Sequence, residues 1–280
     1  MLDNNGDYRY YGSNPNNYVE FNNELWRIIS VGNVKSSVND TVGETRVKIV
    51  KADELIDDNS LSSYSWDSSI LNDWSQAELM NELNTFYYNK KSGSCYTYGG
   101  ASISESCNFT NTGLNSDANN LIGDALYYLG GNSNVYDSYA DDYYNFERGN
   151  TVWPSEGYTC NDGACPRATR WSGKVGLIYA SDYAYATDLN LCTSVGSSYS
   201  DSNCVNNNWL AKTNYYWIIS SFSNSGALVF VARNCIDEFG GMGYSTTGNI
   251  VFQVVYLKSD VVISEGIGTD KKPYQIALAN

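Results

Sequence analysis

Apolar and polar positions alternate in short runs along much of the chain, and the runs have strand length. Tyr18-Val19-Glu20-Phe21 is one, and Asn22-Asn23 is a tight-turn pair leading into Glu24-Leu25-Trp26-Arg27-Ile28-Ile29-Ser30-Val31. Arg46-Val47-Lys48-Ile49-Val50-Lys51 alternates as a half-buried strand does, so these three segments predict an antiparallel meander. Further strands are predicted at 174–179, 215–222, 227–233, 250–257 and 261–263. The period changes in two places. Ser75-Gln76-Ala77-Glu78 has the form of a capping box, with Trp74 and Leu79 placed as a hydrophobic staple. Leu79, Leu83, Phe86 and Tyr87 then fall on one helical face. A second helix is predicted from Ser116 or Asp117 to Leu129, with Leu121, Ile122, Ala125, Leu126 and Leu129 as its stripe and Gly130-Gly131 as its end. Ser181-Asp182-Tyr183 starts a short helix through Ala186.

These elements predict an α+β chain, read as a single domain over 1–280. It has a polar N-terminal segment at 1–17, strands and two helices over 18–131, a long irregular loop at 132–168, and a β-rich half at 169–280. No repeat of fixed period is visible. Composition sharpens the picture. The 280 residues carry 17 Lys plus Arg, 31 Asp plus Glu and no His, a formal charge of −14. Such a chain repels phosphate backbones, so nucleic acid is not an expected partner. Without His there is no Ser-His-Asp or Cys-His nucleophile system and no His-ligated metal. No apolar run is long enough to span a bilayer, and the first residues lack the charged and apolar regions of a signal peptide. The 25 Tyr, with abundant Asn, Ser and Gly, give the kind of surface used by adaptable binding faces.

Six of the seven cysteines fall into neighbouring pairs: Cys95 with Cys107, Cys160 with Cys165, and Cys192 with Cys204. Each pair would close a short polar loop as a disulfide, which places the chain in an oxidising, extracellular compartment. Cys235 is left over, either a buried thiol or a reactive one.

Several stretches resemble a group of bacterial extracellular modules that often follow pilin-type anchors. They are Tyr10-Tyr11-Gly12 through Tyr18 with Phe21 to Ile29; Asn72-Asp73-Trp74-Ser75; Leu121-Ile122-Gly123-Asp124-Ala125-Leu126; Glu147-Arg148-Gly149; Trp171-Ser172-Gly173-Lys174-Val175-Gly176-Leu177; and Val255-Tyr256-Leu257-Lys258-Ser259. The C-terminal half is similar to C-type-lectin-like folds, the scaffold shared by formylglycine-generating enzymes and by retroelement-diversified binding proteins. The resemblance implies a twisted antiparallel β core with two main helices and long disulfide-stiffened loops that bind ligand. It also implies a cell-surface or secreted bacterial protein with an N-terminal anchor ahead of Met1. The chain departs from the group at Phe252-Gln253, where an Arg-Pro pair is common, and at Ser220-Ser221-Phe222, where Thr-Pro is common.

Four kinds of chemistry were weighed. Asp3, Asn5 and Asp7 alternate around Gly6 as oxygen ligands do at the start of calcium loops. The glutamate that completes an EF-hand is missing, and a solvated acidic turn is the simpler reading. Calcium is therefore the sole cofactor considered, and none is expected. Paired carboxylates would make a carbohydrate-active hydrolase, but no pair stands out in the sequence, and Glu147-Arg148 reads as an internal ion pair that orders the long loop. Cys235 lacks a base, and no catalytic residue is assigned. Binding is the leading expectation. Tyr136, Tyr139, Tyr143 and Tyr144 sit in the long loop, and the resemblance places Asn224, Asp237, Glu238, Phe239, Tyr244, Ser245 and Thr246 where lectin-like scaffolds recognise partners. The expected function is an adhesin-like module that recognises a glycan or a protein on another surface. The alternatives are a self-associating filament subunit and a hydrolase.

Overall fold

The computed structural model describes residues 1–99, 101–131, 138–149, 167–192, 199–222, 226–237 and 243–279, without the side chains of 237, 243 and 244. The predicted meander is present. Tyr18–Phe21 pairs with Glu24–Val34, which pairs with Glu44–Lys51. Asn22 and Asn23 have φ of 59° and 60°, the left-handed pair that a two-residue hairpin needs and that Asn tolerates. Tyr8–Arg9 joins the free edge of Glu24–Val34. Val254–Tyr256 and then Val175–Gly176 extend the other side, giving a six-stranded sheet.

Alternation along the central strands buries both faces of this sheet. Ile28, Ile49 and Val255 point into one core with Trp26, Trp66, Trp74 and Trp217. Ile29, Val50 and Val254 point into a second core with Tyr183, Trp209, Tyr216 and Phe230. The architecture is thus antiparallel β with short helices on either side, an α+β arrangement. Disulfides Cys95–Cys107 and Cys192–Cys204 are both formed, one in each core. Cys160 and Cys165 lie outside the described residues. Cys235 is half-buried.

Local sequence signals were overridden in three places. The Ser75 capping box does not form. Asp73 accepts hydrogen bonds from the Ser75 N–H at 3.0 Å and its hydroxyl at 2.8 Å, and Glu78 accepts from the Ser68 N–H at 2.6 Å. With Ser75 held by Asp73, α-helix begins at Glu78–Asn81 and continues as a π-helical segment, Glu82–Tyr87. The second predicted helix stops early. Ser116–Leu121 is helical, capped by the Asn115 side chain on the Ala118 N–H at 2.8 Å. Tertiary pairing then takes over. Ile122 bridges Leu257, the Gly123 N–H donates to the Tyr256 carbonyl, and Ala125–Tyr128 becomes a strand against Arg170–Gly173. Finally, the stretch expected to be irregular contains a helix, Ala140–Arg148. Its inward face is Ala140, Tyr143 and Glu147, so a buried carboxylate replaces the apolar residue that would have revealed it.

Gln253 follows Phe252 just before strand Val254–Tyr256. It is fully buried, and neither its amide oxygen nor its nitrogen has a partner among the described residues. An unpaired buried amide costs about 1–3 kcal/mol. Replacing Gln253 with Met, which keeps the volume, is expected to raise stability in urea unfolding by about 1–2 kcal/mol. A comparable loss would show that internal water satisfies the amide.

Candidate functional site

The N-terminal segment is fastened to the fold by buried charge. Arg9 lies on the sheet edge with its side chain 3 % exposed. Its guanidinium reaches Asp3 at 2.5 Å, Asp182 at 2.9 Å and Asp7 at 3.3 Å. Asp182 sits in the first turn of helix Ala180–Tyr185, where its carboxylate also accepts from the Tyr179 N–H at 2.8 Å and pairs with the Lys48 ammonium. Burial alone would push the Asp182 carboxyl up, but Lys48 and Arg9 hold it below the usual carboxylate range. Burial draws Lys48 below the usual lysine range, with Asp182 opposing. Burial also raises Asp7, against the pull of Arg9. Lys48 lies over the faces of Tyr179 and Tyr256, 4.1 and 5.4 Å from the ring centroids. The cavity beside Arg9, Lys48 and Arg148 measures about 30 Å³, room for a water or two.

This cluster settles the geometry of the acidic turn. Asp3 accepts the N–H groups of Asn5 and Asp7, each at 2.9 Å, and Asn5 donates from its side chain to the Tyr185 hydroxyl at 3.1 Å. The cation among these groups is the Arg9 guanidinium. Among the described residues, no three Asp, Glu, His or Cys side chains are grouped to hold a metal ion.

Glu147 and Arg148 form an ion pair at 3.6 Å. Glu147 is buried and accepts from the Ser181 N–H at 2.9 Å, the Ser181 hydroxyl at 2.5 Å and the Ser220 hydroxyl at 3.0 Å. Burial pushes its carboxyl up, and Arg148, 3.6 Å away, opposes. Arg148 in turn stacks on the Tyr144 ring, 3.2 Å from its centroid. These contacts dock helix Ala140–Arg148 onto helix Ala180–Tyr185.

Where that helix begins, a pocket of about 390 Å³ opens between it, the N-terminal turn, and Cys192 and Tyr199. Its walls carry the tyrosines Tyr139, Tyr185 and Tyr199, with Leu2 and Leu189, and the polar groups include Asp3, Asn4 and Asp141. Tyr139 and Leu2 are 60 % and 58 % exposed, so they form the rim. Tyr199 is buried and forms the base beside Tyr143, ring centroids 6.5 Å apart. The Asp141 carboxylate accepts from the Asn4 side chain and from the Tyr185 hydroxyl. Burial and the adjacent Asp141 raise the Tyr185 hydroxyl, which therefore stays a donor. The Arg9 guanidinium lies 4.6 Å from the Tyr185 ring centroid, so the charge cluster also sets one wall of the pocket. A second groove of about 380 Å³, on the other side of Met1, is lined by Tyr8, Tyr10, Tyr11, Pro15 and Val31.

Of the residues singled out from the sequence, the structure brings Asp3, Tyr139 and Cys192 to the pocket. Tyr143 is a core residue, and Tyr144 packs under Arg148. Ser245 is fully buried. Its hydroxyl donates to the Ser69 carbonyl and accepts from the Leu71 N–H, both at 3.0 Å, and the Thr246 carbonyl accepts from the Ser65 hydroxyl at 3.1 Å. This pair therefore ties the 65–71 segment to the C-terminal half. Asp237 pairs with Val231 through the backbone, and Tyr244 with Leu228. Tyr136, Asn224, Glu238 and Phe239 lie outside the described residues. Asn4, Tyr185, Leu189 and Tyr199 come from separated stretches that only the fold brings together with Asp141.

No protein-family model, curated protein or solved structure matches the chain. No helix among the described residues is long and apolar enough to cross a membrane.

Proposed function

We propose that the protein is a secreted or cell-surface binding module with a C-type-lectin-like scaffold, and that it recognises a glycan through the tyrosine-lined pocket. The observation that carries this reading is the pairing of one exposed tyrosine ring, Tyr139, with a pre-ordered carboxylate, Asp141, in one opening. Sugars present apolar C–H faces and hydroxyl edges. The exposed Tyr139 ring offers surface for the first, with Tyr185 and Tyr199 as the buried wall and base behind it, and Asp141 and Asn4 hydrogen-bond with the second. A volume of about 390 Å³ suits one or two sugar rings better than a protein surface. Asp141 is held in place by Asn4 and Tyr185 before any ligand arrives, which limits the ordering cost of binding. The two disulfides fit an extracellular setting.

The test is a mixed glycan array probed with the oxidised protein and with Tyr139→Ala. Wild-type binding is expected, with affinity lower by about tenfold in the variant, the value of one exposed aromatic contact. Equal binding by both proteins would remove the pocket from the account.

A filament-subunit reading has its own support. The ribbon formed by Val261–Glu265 and Gln275–Leu278 exposes Val262, Ile263 and Leu278, and Ile267 in its connecting loop is 56 % exposed. Apolar surface of this kind favours association. On this reading, sedimentation at micromolar concentration shows oligomers that Ile263→Asp disperses. A strict monomer would count against it.

A further inference from the structure

Glu82 is a charge-bearing side chain that the proposed binding site does not use. It opens the π-helical segment and is 2 % exposed. One carboxyl oxygen accepts from the Tyr96 N–H at 2.8 Å. The other is buried and has no partner among the described residues. Tyr96 belongs to the hairpin of Ser92–Tyr98 and Ser102–Asn108, which packs directly on the π-helical segment. A Cβ on Gly93 would come within 2.2 Å of the Phe86 ring. The ionisable groups acting on Glu82 are Glu78 from the preceding helix, Asp67 from the segment before it and the Tyr64 hydroxyl, and none of them is a cation. Its contact across the interface is thus a single backbone N–H, with no Lys or Arg among the groups acting on it.

We propose that Glu82 is an alkaline-sensitive latch: as a neutral carboxylic acid it lets the Ser92–Tyr98 strand seat on the π-helical segment, and its ionisation loosens that hairpin.

A buried carboxylate without a cation is costly, so the proton stays on. Burial, reinforced by Glu78 and Asp67, pushes the Glu82 carboxyl up to about 8, against a weaker pull from the Tyr96 N–H. The direction of the pH effect follows. The unfolded chain releases this proton near the ordinary glutamate value of 4.5, and the folded chain holds it to about 8. Between these two values the folded state binds the extra proton, so stability falls as pH rises across the window. Above it, the folded chain must either bury the charge or open the hairpin to wet it. π-Helical turns often occur at functional positions.

Two measurements test the latch. The first compares thermal unfolding and hydrogen exchange at pH 6 and pH 9, corrected for intrinsic exchange rates, in the wild type and in Glu82→Gln, which has the same shape and no charge. The wild type is expected to lose about 5 °C or more of Tm and to lose protection in 92–98 and 102–108, while Glu82→Gln keeps both. Identical pH dependence in the two proteins would overturn the proposal. The second, a carbon-13 titration of glutamate side-chain carboxyls, needs no variant. One resonance is expected to titrate near pH 8 together with hairpin amide shifts. Absence of any glutamate titrating above pH 7 would also overturn it.

Discussion

Replacing Arg9 with Met is expected to destabilise the protein by about 3–5 kcal/mol at neutral pH, the usual effect of removing one partner from a buried ion network. Three carboxylates converge on this guanidinium, and its side chain is 3 % exposed. Without it, Asp3 and Asp7 lose their cation, and Asp182 keeps Lys48 alone. The pH profile identifies the mechanism. In the wild type, Asp182 is held below its ordinary range, so its contribution is present above the unfolded value and is lost as pH falls through the folded one. In Arg9→Met the Asp7 and Asp182 carboxyls lose the cation that pulls them down, protonation relieves them, and the gap between variant and wild type narrows as pH falls from 7 toward 5. Urea unfolding at several pH values checks this. A gap that is constant with pH would mean that lost packing, not unpaired charge, explains the cost.

The second large effect separates the two disulfides. Each closes a loop with a sequence separation of 12, so each is expected to contribute about 2–4 kcal/mol. Their consequences for binding differ. Cys192 lines the tyrosine pocket, whereas Cys95 and Cys107 lie in the other core. Replacing both Cys192 and Cys204 with Ser is therefore expected to lower stability and weaken ligand binding. The same change at Cys95 and Cys107 should lower stability by a similar amount and leave affinity unchanged. Thermal unfolding paired with ligand titration reads both. Equal losses of affinity would show that binding follows overall stability and not the pocket.

The elements that could be read from the sequence are those whose local pattern and tertiary environment agree. The meander is the clearest case, where Asn22-Asn23 supplies the turn and Val19, Phe21, Ile28 and Ile49 supply the alternation. The two described disulfides were likewise local. Misreadings arose where a distant partner decided the outcome. Asp73 takes the hydroxyl that Ser75 would have used as a cap. Strand Arg170–Gly173 recruits Ala125–Tyr128 out of a helical stripe, pairing Ala125 with Gly173 through Tyr128 with Arg170. Helix Ala140–Arg148 escaped notice because its inward face is completed by Glu147, whose partners Ser181 and Ser220 lie far along the chain. The pocket was legible only through Asp3, Tyr139 and Cys192. Asn4, Asp141 and Tyr185 carry no pattern of their own and gain meaning when the Arg9 cluster brings the N-terminal turn against the helices.

The most direct test of the account is a crystal structure with the best glycan from the array bound. The account predicts a sugar ring against Tyr139, with its hydroxyls within hydrogen-bond reach of Asp141 and Asn4. A sugar seated instead on the C-terminal loops around Tyr244 to Thr246, with the tyrosine pocket empty, would contradict it.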